Sequence, residues 1–331
     1  MVLEFSMIHA EDRRADLERW IGAQIQAARF TLTPASEDAS FRRYFRVSVD
    51  DGRSFIAMDA PPGKEDCRPF VRVARMLRAA RVNAPEIFSQ DLGRGFLLLG
   101  DLGTRTYLQE LSAENAPRLF GDATDALLRW QLATRPGALP PYDEALLRRE
   151  MGLFPEWYLK RHLQFELSDD QKHELEEIFS LLVKSAQAQP AVYVHRDFMP
   201  RNLMVCEPNP GVLDFQDAVL GPISYDIVSL LRDAFVSWEE EQVLDWTVRY
   251  WEKAKRAQLP VDADFAEFWR AFDWMGLQRH LKVLGIFARI RYRDGKPVYL
   301  EDAPRFVGYA RAVAARYAAL APLARLLDEL E

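Results

Sequence analysis

Cysteine is nearly absent from this chain: there are two, Cys67 and Cys206, and neither belongs to a Cys-x-x-Cys pair. That excludes a disulfide framework and a cysteine zinc site, and it fits free thiols in a reducing compartment. No apolar run approaches the roughly 18 residues that a bilayer-spanning helix needs. The N-terminal stretch MVLEFSMIHAEDRR turns polar and acidic too early for a signal peptide. Basic charge is not in excess either. The 43 Lys and Arg stand against 50 Asp and Glu, a formal net charge of −7. That argues against a general nucleic-acid binder and leaves local phosphate sites possible. Internal repeats and low-complexity tracts are also missing. The expectation is a cytoplasmic protein with no membrane or nucleic-acid partner and no obligate protein partner.

What is present is ordinary for a globular protein, with 49% hydrophobic and 28% charged residues. A chain of 331 residues can bury a sizeable core. At about 150 residues per domain it makes roughly two domains or lobes. Residues 11–29 carry Leu17, Trp20, Ile21 and Ile25 at helical spacing. The pattern then changes to strands over 30–34, 41–49 and 54–59, the last two joined by the hairpin signal Asp50-Asp51-Gly52-Arg53. A helix over 65–80 precedes two short strands near 86–89 and 96–100. Beyond residue 112 the chain reads as helices over 112–134, 143–164, 168–188, 224–236, 238–257, 262–289 and 303–329. One β-rich island, 192–215, interrupts them. Strands followed by helices predict an α+β protein: a β-rich N-terminal lobe over 1–101, a hinge near 100–104, and a mainly helical lobe over 102–331.

Within the island the sequence AVYVHRDFMPRNLMVCEPNPGVLDFQDAVLGP parses as strand, loop, strand, tight turn and strand. Three polar side chains, Asp197, Asn202 and Asp214, stand at the edges of apolar strands. Phosphoryl transfer requires such a set: a carboxylate that accepts a hydrogen bond from the attacking hydroxyl, and an amide oxygen with a second carboxylate to hold magnesium against a triphosphate. The Asp-to-Asn interval equals that of the H-R-D-x-x-x-x-N loop of protein kinases, and Asp214-Phe215 stands where the D-F-G aspartate follows. An isolated His-Arg-Asp would carry little weight; the loop, hairpin and terminal Asp-Phe together carry much more. No second histidine lies at ligand spacing, so His195 is assigned to orienting the loop. Arg196 pairs with a nearby acid or is a solvated loop charge.

These residues resemble the aminoglycoside phosphotransferase-like kinases, whose pattern is roughly HxDxxxxN followed by DxxxxxxGxxxxDL. Here the second part runs from Asp214 through Gly221 to Asp226-Ile227. The resemblance covers most of the chain in order. It implies a bilobal protein-kinase-like fold with ATP and Mg2+ as cofactors. By that resemblance Asp197 is the catalytic base, Asn202 and Asp214 are the magnesium ligands, and Asp226 buttresses the loop. The implied adenine hinge is 98–102, with Leu99, Gly100, Asp101 and Leu102 as nucleotide contacts. Within the family, ASFRRYFRV (39–47), FIAMDAPPGKED (55–66), FLLLGDLG (96–103), FPEWYL (154–159) and QRHLKVLGIFARI (278–290) look like the bacterial amino-sugar kinases of cell-wall recycling. The implied acceptor is then the anomeric hydroxyl of N-acetylmuramate or N-acetylglucosamine.

The departures are as informative. Kinases place a lysine on the third strand, paired with a helix glutamate; here that strand reads Phe55-Ile56-Ala57-Met58-Asp59. The expected phosphate loop, Ser36-Glu37-Asp38-Ala39-Ser40-Phe41, is not glycine-rich. Arg43, Lys64 and the backbone N–H groups of 38–41 are the candidates for holding phosphates, against the ordinary alternative of solvated surface cations. Gln216 replaces the D-F-G glycine and no A-P-E segment follows, which disfavours a regulated protein kinase.

For the acceptor, Glu150, Trp157, Gln278 and Arg279 are the candidates, since aromatic faces and bidentate polar groups hold sugars and arginine clamps carboxylates. The competing readings are that Trp157 and Phe154 fill the core and that Glu150 lies on a solvated face. Two other functions stay open: a kinase for aminoglycosides or another small-molecule hydroxyl, and a catalytically weak kinase-like binding module. The mildly acidic end LARLLDELE and the basic QRHLK stretch speak against a cationic acceptor.

Overall fold

The computed structural model describes residues 2–26, 29–36 and 41–330, and of residues 2–12 and Ser36 the backbone only. The chain forms two compact units. One comprises Met1–Arg105 with Met204–Asp217, the other Thr106–Leu203 with Ala218–Glu331. A boundary expected at 101–102 thus falls four residues later, and the segment 204–217, expected in the helical lobe, groups with the first unit.

The first unit opens with helix α1 (Val2–Ile25), followed by strands β1 (Phe30–Ser36), β2 (Arg43–Val49) and β3 (Ser54–Asp59). Helix α2 (Arg68–Ala79) and strands β4 (Ile87–Asp91) and β5 (Phe96–Gly100) complete it. The five strands form one antiparallel sheet in the order β1-β2-β3-β5-β4. Alternation along the strands sends Phe45, Val47, Val49, Phe55, Ala57, Phe96 and Leu98 into one buried cluster with Leu17, Trp20, Ile21 and Ile25 of α1. Each such large side chain contributes about 1.5–3 kcal/mol by leaving water. The β2–β3 turn needs Gly52, whose φ is +88°. The phosphate-loop backbone groups proposed from sequence at residues 38–40 lie outside the described residues.

The second unit begins with α3 (Tyr107–Glu110), α4 (Ala116–Leu132) and α5 (Glu144–Met151). The helix expected over 143–164 is not continuous. After α5 the backbone re-forms as a π-helix, Phe154–His162, entered through Pro155. Proline lacks the N–H that an α-helix would use there. Helix α6 (Asp169–Ala188) leads to strand β6 (Ala191–Val194). At Leu203 the chain leaves this unit for the segment that groups with the first, which carries the short paired strands β7 (Leu203–Met204) and β8 (Gly211–Val212). An unforeseen strand, β9 (Val219–Pro222), pairs antiparallel with β6. Helices α7 (Tyr225–Leu231), α8 (Glu240–Arg256) and α9 (Phe265–Asp294) follow. The last expected helix is divided into α10 (Ala303–Arg316) and α11 (Ala321–Asp328), with Pro322 inside the first turn of the second piece.

Helix α9 is the axis of this unit. It runs 30 residues, starts on an Asp264 cap and packs against α5, α6, α7, α10 and the π-helix. From Met275 to Gly285 every residue is buried, as befits a helix enclosed on all sides. Among the described residues no helix is long and apolar enough to cross a membrane. Both cysteines are free thiols.

Gly285 marks the closest approach within the unit, since an added Cβ would lie 2.5 Å from the Leu153 side chain and against its backbone. Gly285→Ala is therefore expected to lower stability by about 1–3 kcal/mol through overpacking. The urea midpoint measures this; an unchanged or raised midpoint contradicts the packing described.

Candidate active site

Strand β6, buried after its first residue, delivers the chain to His195, which is 1% exposed. The carboxylate of Asp226, one residue into α7, receives two successive backbone N–H groups. His195 N donates at 2.7 Å and Arg196 N at 3.0 Å. Arg196 sits at φ +78°, left-handed backbone that a side-chain-bearing residue seldom adopts. The next N–H, of Asp197, donates to His195 Nδ1 at 3.2 Å, so a neutral ring carries its proton on Nε2. Asn202 Nδ2 then donates to the Asp197 carbonyl at 3.0 Å and closes the loop from its far end. Burial pushes the Asp226 carboxyl up to about 7. The two N–H donors offset this in part, Asp197 adds to it, and Arg279 opposes it.

The Arg196 side chain enters a buried charge cluster. Its Nη2 bonds Glu150 Oε1, which also pairs with Lys282 Nζ at 3.1 Å. Tyr142 Oη donates to Glu150 Oε2, Gln278 Nε2 lies 3.4 Å from the same oxygen, and Lys282 Nζ donates to Tyr225 Oη at 3.0 Å. Burial acts to raise the Glu150 carboxyl, but Lys282 and Arg196 outweigh it and hold the group below its ordinary value. Burial acts to lower Lys282, and Tyr225 and Glu150 more than reverse it. The carboxylate considered from sequence for the acceptor is thus engaged inside the protein. It does not lie on a solvated face, and two cations share it. Sequence reading did not single out Lys282.

Of the other acceptor candidates, Gln278 and Arg279 are buried in α9. Trp157 is partly exposed on the π-helix, while Phe154 is buried there and stacks on Tyr158.

Asp214 belongs to the first unit and is described there. Its φ is +60°. Oδ1 accepts from Gln216 Nε2 at 2.9 Å and lies 3.8 Å from Arg42 Nη2. Phe215 is buried against Phe70, with ring centres 4.8 Å apart. Arg43, proposed from sequence for phosphate, is instead taken up by the fully buried Asp59 at the end of β3: Nε donates to Oδ2 at 3.1 Å, and Arg13 Nε to Oδ1 at 2.7 Å. Arg42, immediately before β2, is the arginine that comes to Asp214. Lys64 Nζ stands 4.6 Å over the ring of exposed Phe41.

In the segment expected to be the hinge, Leu99 is buried in the sheet and Gly100 N donates to Glu86 O at 2.8 Å. The Asp101 carboxylate is bound by Arg46 at 2.7 Å, by Ser54 and by Gly103 N. Arg46, Ser54 and Gly103 overcome the upward push of burial and hold Asp101 low. Any contact of Asp101 with a nucleotide would thus be through its backbone. Leu102 is partly exposed.

Magnesium takes hard oxygens, typically one or two protein groups with waters and phosphates completing the octahedron. The donor types fit. Asp214 offers a carboxylate that is 39% exposed, and Asn202 has its Nδ2 committed to Asp197, which orients the amide. Among the described residues no cluster of three or more His, Cys, Asp or Glu forms an all-protein metal cage.

Comparison with known proteins places residues 31–274 in the phosphotransferase enzyme family (APH). The chain is 57% identical over 301 residues to the N-acetylmuramate/N-acetylglucosamine kinase of Pseudomonas putida, covering 91% of this chain and 88% of the relative. It is 49% identical over 322 residues to the protein of the same name from Neisseria meningitidis, covering 96% of each. Among solved structures, an ethanolamine kinase from Plasmodium vivax superposes with a TM-score of 0.62 at 11% identity, covering 87% of this chain and 83% of that one. The fold is therefore the bilobal protein-kinase-like one.

Replacing Glu150 by Gln leaves the buried Lys282 and the half-buried Arg196 without their counter-charge, which is expected to cost about 3 kcal/mol at pH 7. Because the folded state holds the Glu150 carboxyl low, its stabilisation is complete above the unfolded value of 4.5 and fades as pH falls further. Urea midpoints of both proteins at pH 7 and pH 4 check this. The gap is expected to narrow at pH 4, and an undiminished gap contradicts the ionic role.

Proposed function

We propose, for a chain that belongs to the phosphotransferase enzyme family, that it transfers the γ-phosphoryl group of ATP to the anomeric hydroxyl of N-acetylmuramate and N-acetylglucosamine. The observation that carries the acceptor is identity across most of the chain to kinases bearing the names of those two sugars. The product is a sugar 1-phosphate, and the setting is cytoplasmic recycling of peptidoglycan precursors.

Asp197 accepts the hydrogen bond of the anomeric hydroxyl and points its oxygen at the γ-phosphorus. Its loop is held for that task by Asp226, by His195 Nδ1 and by the Asn202 amide. Asn202 and Asp214 would hold magnesium, which neutralises charge on the triphosphate. The hinge backbone at 99–102 would take the adenine. Arg42, 3.8 Å from Asp214, is assigned the cationic role that the third-strand lysine has in other kinases. Catalysis of this kind is mainly positioning and electrostatics, since the loose transition state needs little covalent help.

Purified protein with ATP and magnesium, offered N-acetylmuramate, N-acetylglucosamine, kanamycin and choline, is expected to release ADP with the two sugars. Release with kanamycin or choline alone replaces this reading, and release with none of the four ends it. Asp197→Ala is expected to lower sugar-dependent turnover by about 10²–10⁴-fold with nucleotide binding retained. Near-normal turnover removes Asp197 from the role of base. Asp214→Ala is expected to weaken magnesium-dependent nucleotide binding; isothermal titration with and without magnesium reads it, and unchanged affinity counts against the ligand role.

A further inference from the structure

Four polar side chains lie buried in the middle of α9: Gln278, Arg279, His280 and Lys282. Glu150 and Tyr225 account for Lys282. Arg279 has no such partner. It is 2% exposed. Its Nη2 makes one weak contact, 3.9 Å to Met199 Sδ on the catalytic loop, and its Nη1 has no hydrogen-bond partner. Among the described residues it takes part in no ion pair, although a bare guanidinium is one of the costliest groups to bury. A second orphan lies on the segment after α7. Asp233 is fully buried. Its Oδ2 accepts from Phe235 N at 2.8 Å and Val236 N at 3.3 Å, and its Oδ1 has no partner. The catalytic loop touches both surroundings. Met199 covers Arg279, and the Arg201 guanidinium lies 5.1 Å over the Phe235 ring. Burial pushes the Asp233 carboxyl up and Arg279 opposes it, yet the two side chains do not pair directly.

We propose that Arg279 and Asp233 are the acceptor-recognition pair: Arg279 takes a carboxylate of the acceptor, Asp233 takes a hydroxyl or amide N–H, and Met199 covers Arg279 until the acceptor displaces it. The proposal rests on the amino-sugar reading and sharpens it. Of the two sugars only N-acetylmuramate carries a carboxylate, on its lactyl ether, so Arg279 sets the preference for that sugar. The planar fork of arginine matches a carboxylate with two parallel hydrogen bonds. The unbranched thioether of Met199 has three rotatable bonds with which to withdraw. A site whose buried polar groups lose their partners rejects a ligand lacking the matching group.

The test uses the full chain with ATP, magnesium, N-acetylmuramate, its lactyl methyl ester and N-acetylglucosamine. Wild type is expected to show kcat/KM at least tenfold higher for the acid than for the ester, chiefly through KM. In Arg279→Gln that ratio is expected to fall to near one, with Arg279→Lys intermediate and available should the first variant not fold. Asp233→Asn is expected to raise KM at least tenfold for all three sugars while kcat changes less. A wild-type ratio near one, or a ratio that persists in Arg279→Gln because ester bulk alone explains it, overturns the role of Arg279. Unchanged KM values in Asp233→Asn overturn that of Asp233. If wild type phosphorylates neither parent sugar, the amino-sugar reading itself has failed; turnover of both with no acid–ester difference overturns only the present inference.

Discussion

The carboxylate of Asp226 has no access to water, and two consecutive backbone N–H groups, of His195 and Arg196, end on it. The geometry of the loop from His195 to Asn202 depends on that pair of bonds. Left-handed backbone at Arg196 costs on the order of 1–3 kcal/mol. Two backbone hydrogen bonds, each returning about 0.5–1.5 kcal/mol to a neutral acceptor and about 1.5–3 to a charged one, offset the strain. The turn that results brings the Asp197 N–H to His195 Nδ1 and the Asp197 carbonyl within reach of Asn202. A buried acid thus fixes the backbone on which the half-buried Asp197 sits.

Arg196 is held a second time, by its side chain. Two cations, Arg196 and Lys282, share the Glu150 carboxylate, so the cluster carries one positive charge more than it cancels, and Asp197 is among the groups that feel both. Burying such a set gives little net stability by itself. What it provides is location: the loop is tied to α5 and α9 at the residue preceding the proposed base.

The sequence made local relationships legible and tertiary ones obscure. The α1 stripe, the Asp50–Arg53 hairpin and the loop ending at Asn202 are set by spacings of a few residues, and periodicity or motif reveals them. Arg43 reads from sequence as a phosphate candidate, but the buried Asp59 takes it up, and it is the adjacent Arg42 that neighbours Asp214. Glu150 looked like a surface or ligand residue because its partners stand 46 and 132 positions away. Asp233 sits in an unremarkable Leu-Arg-Asp-Ala stretch, and only burial with an orphaned oxygen distinguishes it. The π-helix and β9 escaped notice because a short apolar run does not declare its hydrogen-bonding partner.

The segment Met204–Asp217 belongs with residues nearly a hundred positions upstream. Asn83 fastens it there: its carbonyl accepts from Val212 N at 2.7 Å and its amide donates to Pro208 O at 2.6 Å. The polypeptide therefore crosses from one unit to the other three times. Neither unit is a contiguous stretch of gene, and a cut at residue 105 severs the first from a part of itself. Such interleaving ties the fates of the two during synthesis, because the first cannot be completed until the ribosome has made much of the second. It also means that recombination between relatives would have to exchange both halves together to keep the pieces matched.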